Sequence, residues 1–260
     1  MVTQGANVFV SAFMFAPLLL LLTVAASPDT IHVTVDGVDR VAYVFAPSKK
    51  SDSSPPVLFM FHGHGGSAQH CMEHFKMQER WPEAVVVYGD GLKITTAGGD
   101  GQGWQVDPNE QNRDVKFFDA LLPKVLAGYN GDPKKVFAWG FSNGGMFVYT
   151  LWTMRADRFA AFCTSGSCFA TDDIKLSTPK PAFVTISGND PIVPPEYQEQ
   201  ALEQVEKEDA SVKNGTDYGA AGTYYKGTQP VVVWRYKGGH EFPFEGFPKL
   251  IEFFRNIASS

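Results

Sequence analysis

The sequence predicts an α/β fold: a mostly parallel central sheet with helices on both faces and antiparallel strands at its N-terminal end. Three observations carry that expectation. Apolar runs such as 57–61 and 231–236 alternate with helical periodicities along the chain, as right-handed crossovers between parallel strands require. These runs lack polar alternation, which fits strands buried on both faces. The 260 residues, 44 % hydrophobic and 19 % charged, are enough for one such core and give no sign of two.

Taken in order, 8–26 is nearly all apolar and closes with Val24-Ala25-Ala26 before Ser27, small residues of the kind a signal peptidase cuts after. Residues 1–26 therefore read as a signal peptide and 27–260 as one domain, which implies secretion. No Lys or Arg precedes Arg40, so a retained membrane anchor is the rival reading, because the run is nearly long enough to span a bilayer. Pro17 and the small-residue site favour cleavage.

Runs at 31–35 and 40–45 flank Asp36-Gly37, a hairpin turn pair, and read as antiparallel strands. A polar linker, 49–56, leads to a strand at 57–61. The pattern then predicts a helix at 68–79, a strand at 84–88 and a helix at 113–126, where Val115, Phe118, Leu122 and Leu126 form one core-facing stripe. A strand at 135–139, a helix at 143–155, strands at 159–164 and 182–187, and a helix at 196–207 follow. The mixed charges of that last helix read as a solvated face. A strand at 231–236 and a helix at 247–256 close the chain. Two stretches, 89–112 and 213–229, are long, polar and Gly-rich, and read as binding loops or disorder.

A formal net charge of −6 with no basic block argues against a nucleic-acid partner and against an anionic polymer as substrate. Cys71, Cys163 and Cys168 allow at most one intramolecular disulfide, with the last two nearest in sequence; three buried thiols is the simpler alternative. Asn214-Gly215-Thr216 is a glycosylation sequon, in keeping with secretion from a eukaryote.

The chemistry is concentrated at Gly140-Phe141-Ser142-Asn143-Gly144, between a predicted strand and a predicted helix. That is the setting of a nucleophile elbow, where a serine sits on a sharp turn and projects above the sheet while flanking glycines leave room for crossing chains. A serine hydroxyl needs a base within hydrogen-bond reach and a group to orient that base. In α/β-hydrolase folds these follow in the order serine, acid, histidine. His240, after Gly238-Gly239 and the last strand, fits the base, and no other histidine lies downstream of Ser142. Asp190, in a Pro-stiffened turn after the 182–187 strand, fits the acid, with Asp172 and Asp173 as rivals one strand earlier.

His62-Gly63-His64-Gly65-Gly66 follows the 57–61 strand where this fold builds its oxyanion hole, so the backbone N–H groups of His64 and Asn143 are the expected donors, with Gly65 an alternative to His64. His70 and His74, one helical turn apart, suit a metal site, but no carboxylate–histidine signature accompanies them, and no metal or cofactor is expected. Trp104 and Gln105, in the first long loop, are expected to line the substrate cleft.

Together, His62-Gly63, the elbow with its doubled glycine and Met146, Gly103-Trp104-Gln105, Arg113-Asp114-Val115, Gly188 through Asp190 into Val193-Pro194, and Gly238-Gly239-His240 ahead of Pro243 resemble the polyhydroxybutyrate depolymerase-like esterases, which border the feruloyl and acetylxylan esterases. The resemblance spans most of the chain after Pro55 and implies an α/β hydrolase that cleaves carboxylic esters, often of secreted or polymeric substrates. Many relatives carry a cysteine where His64 stands and a tryptophan where Phe242 stands. A serine peptidase of the prolyl oligopeptidase type shares the elbow but needs a large gating domain. A silent hydrolase fold serving as a binding module would have no reason to keep all three triad members.

Overall fold

A computed structural model describes Met1 and residues 27–109, 111–171, 174–176, 178–210 and 214–260. The expected leader and the rival acids Asp172 and Asp173 lie outside the described residues.

The hairpin β1 (Asp29–Val35) and β2 (Val38–Phe45) pairs antiparallel around Asp36 and Gly37, both at positive φ, as a tight hairpin turn requires. Then come β3 (Val57–Phe61), α1 (Ala68–Phe75), α2 (Met77–Arg80) and β4 (Val85–Gly89). A separate hairpin, β5 (Leu92–Thr96) and β6 (Gly99–Gly103), precedes α3 (Arg113–Tyr129). The chain continues through β7 (Val136–Phe141), α4 (Asn143–Arg155), β8 (Ala161–Ser165), β9 (Ala182–Ser187) and α5 (Pro195–Glu208). It ends with β10 (Thr216–Asp217), β11 (Gly222–Tyr225), β12 (Val231–Tyr236) and α6 (Phe247–Ala258).

Ten of these strands form one sheet in the order β1-β2-β4-β3-β7-β8-β9-β12-β11-β10. The run from β4 to β12 is parallel, and the strands at both ends are antiparallel. Alternate residues of the central strands feed two cores. One packs against α3, α4 and α5, with Phe59, Phe118, Leu151 and Val205 in it; the other packs against α1, α2 and α6, with Met60, Trp81, Trp139 and Phe254. Strands buried on both faces explain the unbroken apolar runs. The C-terminal ends of β3, β7, β9 and β12 therefore open on one edge, where a sheet of this kind presents its site.

Three local readings change. The helix expected at 68–79 is two helices, broken at Lys76 with φ 47°. The loop expected at 89–112 holds the β5–β6 hairpin, and the one expected at 213–229 holds β10 and β11. All three cysteines are free thiols.

Candidate active site

The site begins at a backbone strain. Ser142, between β7 and α4, adopts φ 55° and ψ −124°, a conformation that costs an ordinary residue of order 1–3 kcal/mol and persists only where the surroundings enforce it. The surroundings here are backbone. A Cβ on Gly140 would lie 2.1 Å from Gly144 O, and one on Gly144 would lie 2.1 Å from Phe61 O, so both flanking glycines are required by close approach. Ser142 N–H donates to Ser165 O at 2.9 Å, tying the turn to the end of β8. Its side chain makes no cap for α4, so the first-turn N–H groups of that helix, Asn143's among them, have no partner within the helix.

The loop after β3 packs directly on the elbow: a Cβ on Gly63 would stand 3.2 Å from Ser142 Cβ. Within this loop Gly65 N–H goes to Gln102 O at 2.7 Å and Gly66 N–H to Gly63 O at 3.0 Å. His62 is buried. Its Nδ1 donates to Gly63 O at 2.8 Å and its Nε2 accepts from Gly91 N–H at 3.0 Å, which fixes the neutral Nδ1–H tautomer. Burial holds the His62 imidazole below its usual range, against the pull of the Gly63 carbonyl and Asp90.

Trp104 joins the loop to the elbow. It is fully buried, stacked on Phe147 and edge-on to Phe61, and absent from the cavity wall. Its indole N–H donates to His62 O at 2.9 Å, while Asn143 takes its backbone N–H on Oδ1 at 2.7 Å and gives Nδ2 to its carbonyl at 3.2 Å. Gln105 is also occupied elsewhere: its N–H goes to Asp114 Oδ2 at 2.7 Å and its Oε1 accepts from Arg113 N–H at 3.0 Å. The expectation that Trp104 lines the cleft is corrected, because it is fully buried and holds the scaffold beneath it; Gln105 is half-buried beside Asp114 and Arg113. Behind them Asp114 is paired with Arg40 at 2.6 Å, both within 1 % of full burial, and the guanidinium lies 4.3 Å from the Phe117 ring centre. Nothing in the sequence marked this pair.

On the other side, Asp190 stands in the turn after β9 and His240 in the loop after β12. His240 Nδ1 is 2.8 Å from Asp190 Oδ2. Asp190 is buried, and its Oδ1 accepts the N–H groups of Ile192 and Val193, each at 2.9 Å. The two turns are laced together: Gly188 N–H to Tyr236 O at 2.8 Å, Asn189 N–H to Gly238 O at 3.2 Å, Asn189 Nδ2 to Lys237 O at 2.9 Å, and Ser187 Oγ to Gly238 O. The imidazole of His240 packs on Phe141, ring centres 4.7 Å apart, beside the serine. A Cβ on Gly166 would meet Phe141, Asp190 and His240 all within 3.5 Å, so the elbow, the acid and the histidine converge on one point.

A cavity of about 650 Å³ opens between the oxyanion-side loop and His240, walled by His64, His70, His74, Phe75, Phe141 and Phe242 among others. His70 and His74 stack at 5.4 Å. Among the described residues no three His, Cys, Asp or Glu side chains form a group suited to a metal ion. Cys71 also reaches this wall, but burial pushes its thiol up to about 12, so it is neutral.

Comparison with known proteins agrees with the fold. Residues 92–181 match the prolyl oligopeptidase family, a stretch that holds the elbow but neither Asp190 nor His240. Over 199 residues, 71 % of this chain and 70 % of the other, the sequence is 27 % identical to a probable feruloyl esterase C from Aspergillus niger. It is 29 % identical over 161 residues to a bifunctional acetylxylan esterase/xylanase from Neocallimastix patriciarum, covering 60 % of this chain but 22 % of that protein. A putative esterase of Nocardia uniformis is matched over 50 % of its length, so the chain spans half or less of these last two relatives. Among solved structures, the acetyl xylan esterase of Aspergillus awamori superposes with a TM-score of 0.68 at 13 % identity, covering 88 % of this chain and 99 % of that one. The Bacillus cereus carboxylesterase does so with 0.60 at 18 %, covering 84 % and 94 %.

The chain has the α/β-hydrolase fold. The three curated relatives and the two solved structures named above carry esterase names. For this hydrolase-fold chain, residues recognised from sequence and residues that came to light only in three dimensions divide cleanly. The structure brings together the elbow, Asp190 and His240 that the sequence singled out, whereas the Trp104–Asn143 clamp and the Arg40–Asp114 pair carried no local signal.

Proposed function

We propose that the chain is a secreted serine hydrolase of carboxylic esters, acting through Ser142, His240 and Asp190. The observation that carries this reading is the 2.8 Å hydrogen bond from His240 Nδ1 to a buried Asp190, on an imidazole packed against the strained serine turn. With Nδ1–H held by the carboxylate, Nε2 is left as the basic nitrogen. His240 takes the proton of Ser142 as Oγ attacks the acyl carbonyl, and Asp190 supports the imidazolium that forms. Returning the proton to the departing alkoxide leaves an acyl-serine. Water, activated by the same imidazole, then releases the acid.

The oxyanion of each tetrahedral intermediate is assigned to the backbone N–H groups of Asn143 and His64. Gly65 and Gly66 already give their N–H groups to Gln102 O and Gly63 O, which favours His64 over Gly65 as the loop's donor. Acetyl, feruloyl and hydroxyalkanoate esters, polymeric ones included, are the substrate classes the resemblance brings to this site. Secretion rests on the apolar segment before Ser27. A peptidase reading is kept in view by the match to the prolyl oligopeptidase family.

Hydrolysis of short p-nitrophenyl acyl esters, beside a matched peptide panel, tests the proposal. Ester turnover should fall by at least about a thousandfold in Ser142→Ala and His240→Ala. Equal rates in wild type and Ser142→Ala, or cleavage of peptides alone, would refute it.

A further inference from the structure

Helix α5 reads in sequence as a charged, solvated surface, yet one of its polar side chains turns fully inward beside the buried Ala201, Leu202 and Val205. Gln198 is buried to 0 % exposure and uses its whole amide. Its Oε1 accepts from Ser187 N–H at 3.2 Å, and its Nε2 donates to Val193 O at 2.6 Å and to Asp190 Oδ2 at 3.1 Å. One side chain thus ties the end of β9, the turn beyond the acid and the acid itself. The orientation of the amide is fixed by its partners: reversed, its oxygen would face a carboxylate and a carbonyl, both acceptors.

Asp190 Oδ2 receives two donors, Gln198 Nε2 and His240 Nδ1, while Oδ1 takes two backbone N–H groups. Gln198 and His240 are the side chains hydrogen-bonded to that carboxylate among the described residues. A donor on the oxygen shared with His240 stabilises the anion and draws electron density from it. The oxygen that would support a developing imidazolium is therefore attenuated by Gln198 as well as held in place by it.

We infer that Gln198 is a positioning residue that holds Asp190 facing His240 and sets the pH at which His240 becomes available as a base. The inference rests on the serine-hydrolase reading above. The direction of the effect follows from the hydrogen bonds. Without the Gln198 donor, Asp190 Oδ2 is a stronger acceptor, imidazolium is favoured, and the base is released only at higher pH.

Two variants with opposite electrostatics make the test: Gln198→Leu, which removes the donor, and Gln198→Glu, which keeps the shape. Both are assayed on a p-nitrophenyl ester from acid to mildly alkaline pH, with active enzyme counted by a serine-directed phosphonate. Gln198→Leu should lower kcat about tenfold and move the acid midpoint of kcat/KM up by about half a pH unit, so its activity relative to wild type rises with pH. In Gln198→Glu, two carboxyl groups share one site and resist ionising together, so the new carboxyl remains a donor while protonated. Its activity relative to wild type should therefore be highest at low pH and fall as pH rises. Opposite pH trends support the inference. Parallel losses at every pH, as from general loosening, or no loss in either variant, overturn it. If Gln198→Leu does not fold, the trend in the isosteric Gln198→Glu decides alone. Ser142→Ala runs alongside: wild-type turnover there would sink the underlying reading instead.

Discussion

The two walls of the site are held by different physics. On the nucleophile side, Ser142 and the loop after β3 are fixed by buried side chains: Trp104 clamped by Asn143 and bonded to His62 O, with Arg40 and Asp114 behind. On the acid–base side, the turns carrying Asp190 and His240 are laced by small polar side chains reaching the backbone, those of Ser187, Asn189 and Gln198, and by two backbone–backbone bonds. The His240 side chain remains 17 % exposed. The first arrangement suits backbone donors that must stand ready for charge before it develops, since preorganisation is what gives an oxyanion hole its effect. The second suits the base proposed here, an imidazole close to solvent that would trade protons between two partners. The contrast implies that equally conservative changes will cost folding on one wall and mainly turnover on the other.

The largest expected effect sharpens that comparison. Removing Arg40 leaves Asp114 buried and uncompensated, so Arg40→Leu should destabilise the fold by about 3–5 kcal/mol in a urea or thermal melt. A loss under about 1 kcal/mol would show that the pair is not what anchors this wall. Trp104→Phe keeps an aromatic ring in the same stack but deletes the donor to His62 O. It should cost about 1–2 kcal/mol of stability and lower kcat several-fold with little change in KM, because the loop donor drifts from the oxyanion. An unaltered kcat would break the link between Trp104 and the oxyanion hole. The smallest effect is expected from Tyr236→Phe, which deletes the hydroxyl donor to Glu241 O beside His240. Stability should change by less than about 1 kcal/mol while kcat drops two- to fivefold. A melt shift as large as that of Trp104→Phe would erase the distinction between the walls.

Much of this was readable from sequence where the signal is local. Unbroken apolar runs marked the central strands because both sheet faces are covered, and the Gly140–Gly144 pattern marked the elbow because only glycine tolerates backbone at 2.1 Å. Elements stabilised by non-local contacts were hidden. The strand Gly99–Gly103 contains no apolar residue to betray it, and its partner Leu92–Thr96 pairs outside the main sheet. The break at Lys76 uses neither glycine nor proline. Trp104 was placed on the cleft because it sits in a polar, Gly-rich stretch, yet packing against Phe147 and Phe117 draws it inside. Arg40 and Asp114 meet across 74 positions, which no periodicity reveals. Gln198 did carry a signal, since it falls on one stripe with the buried Ala201, Leu202 and Val205. Charge on the rest of the helix obscured it.

The central claim is that Ser142 is the nucleophile, activated by His240. Incubating the folded chain with a fluorophosphonate and mapping the adduct by peptide mass spectrometry tests it most directly. The account predicts one stoichiometric adduct on the peptide containing Ser142, formed at least about a hundredfold more slowly in His240→Ala. An adduct on a different residue, or labelling of Ser142 at an undiminished rate in His240→Ala, would contradict it.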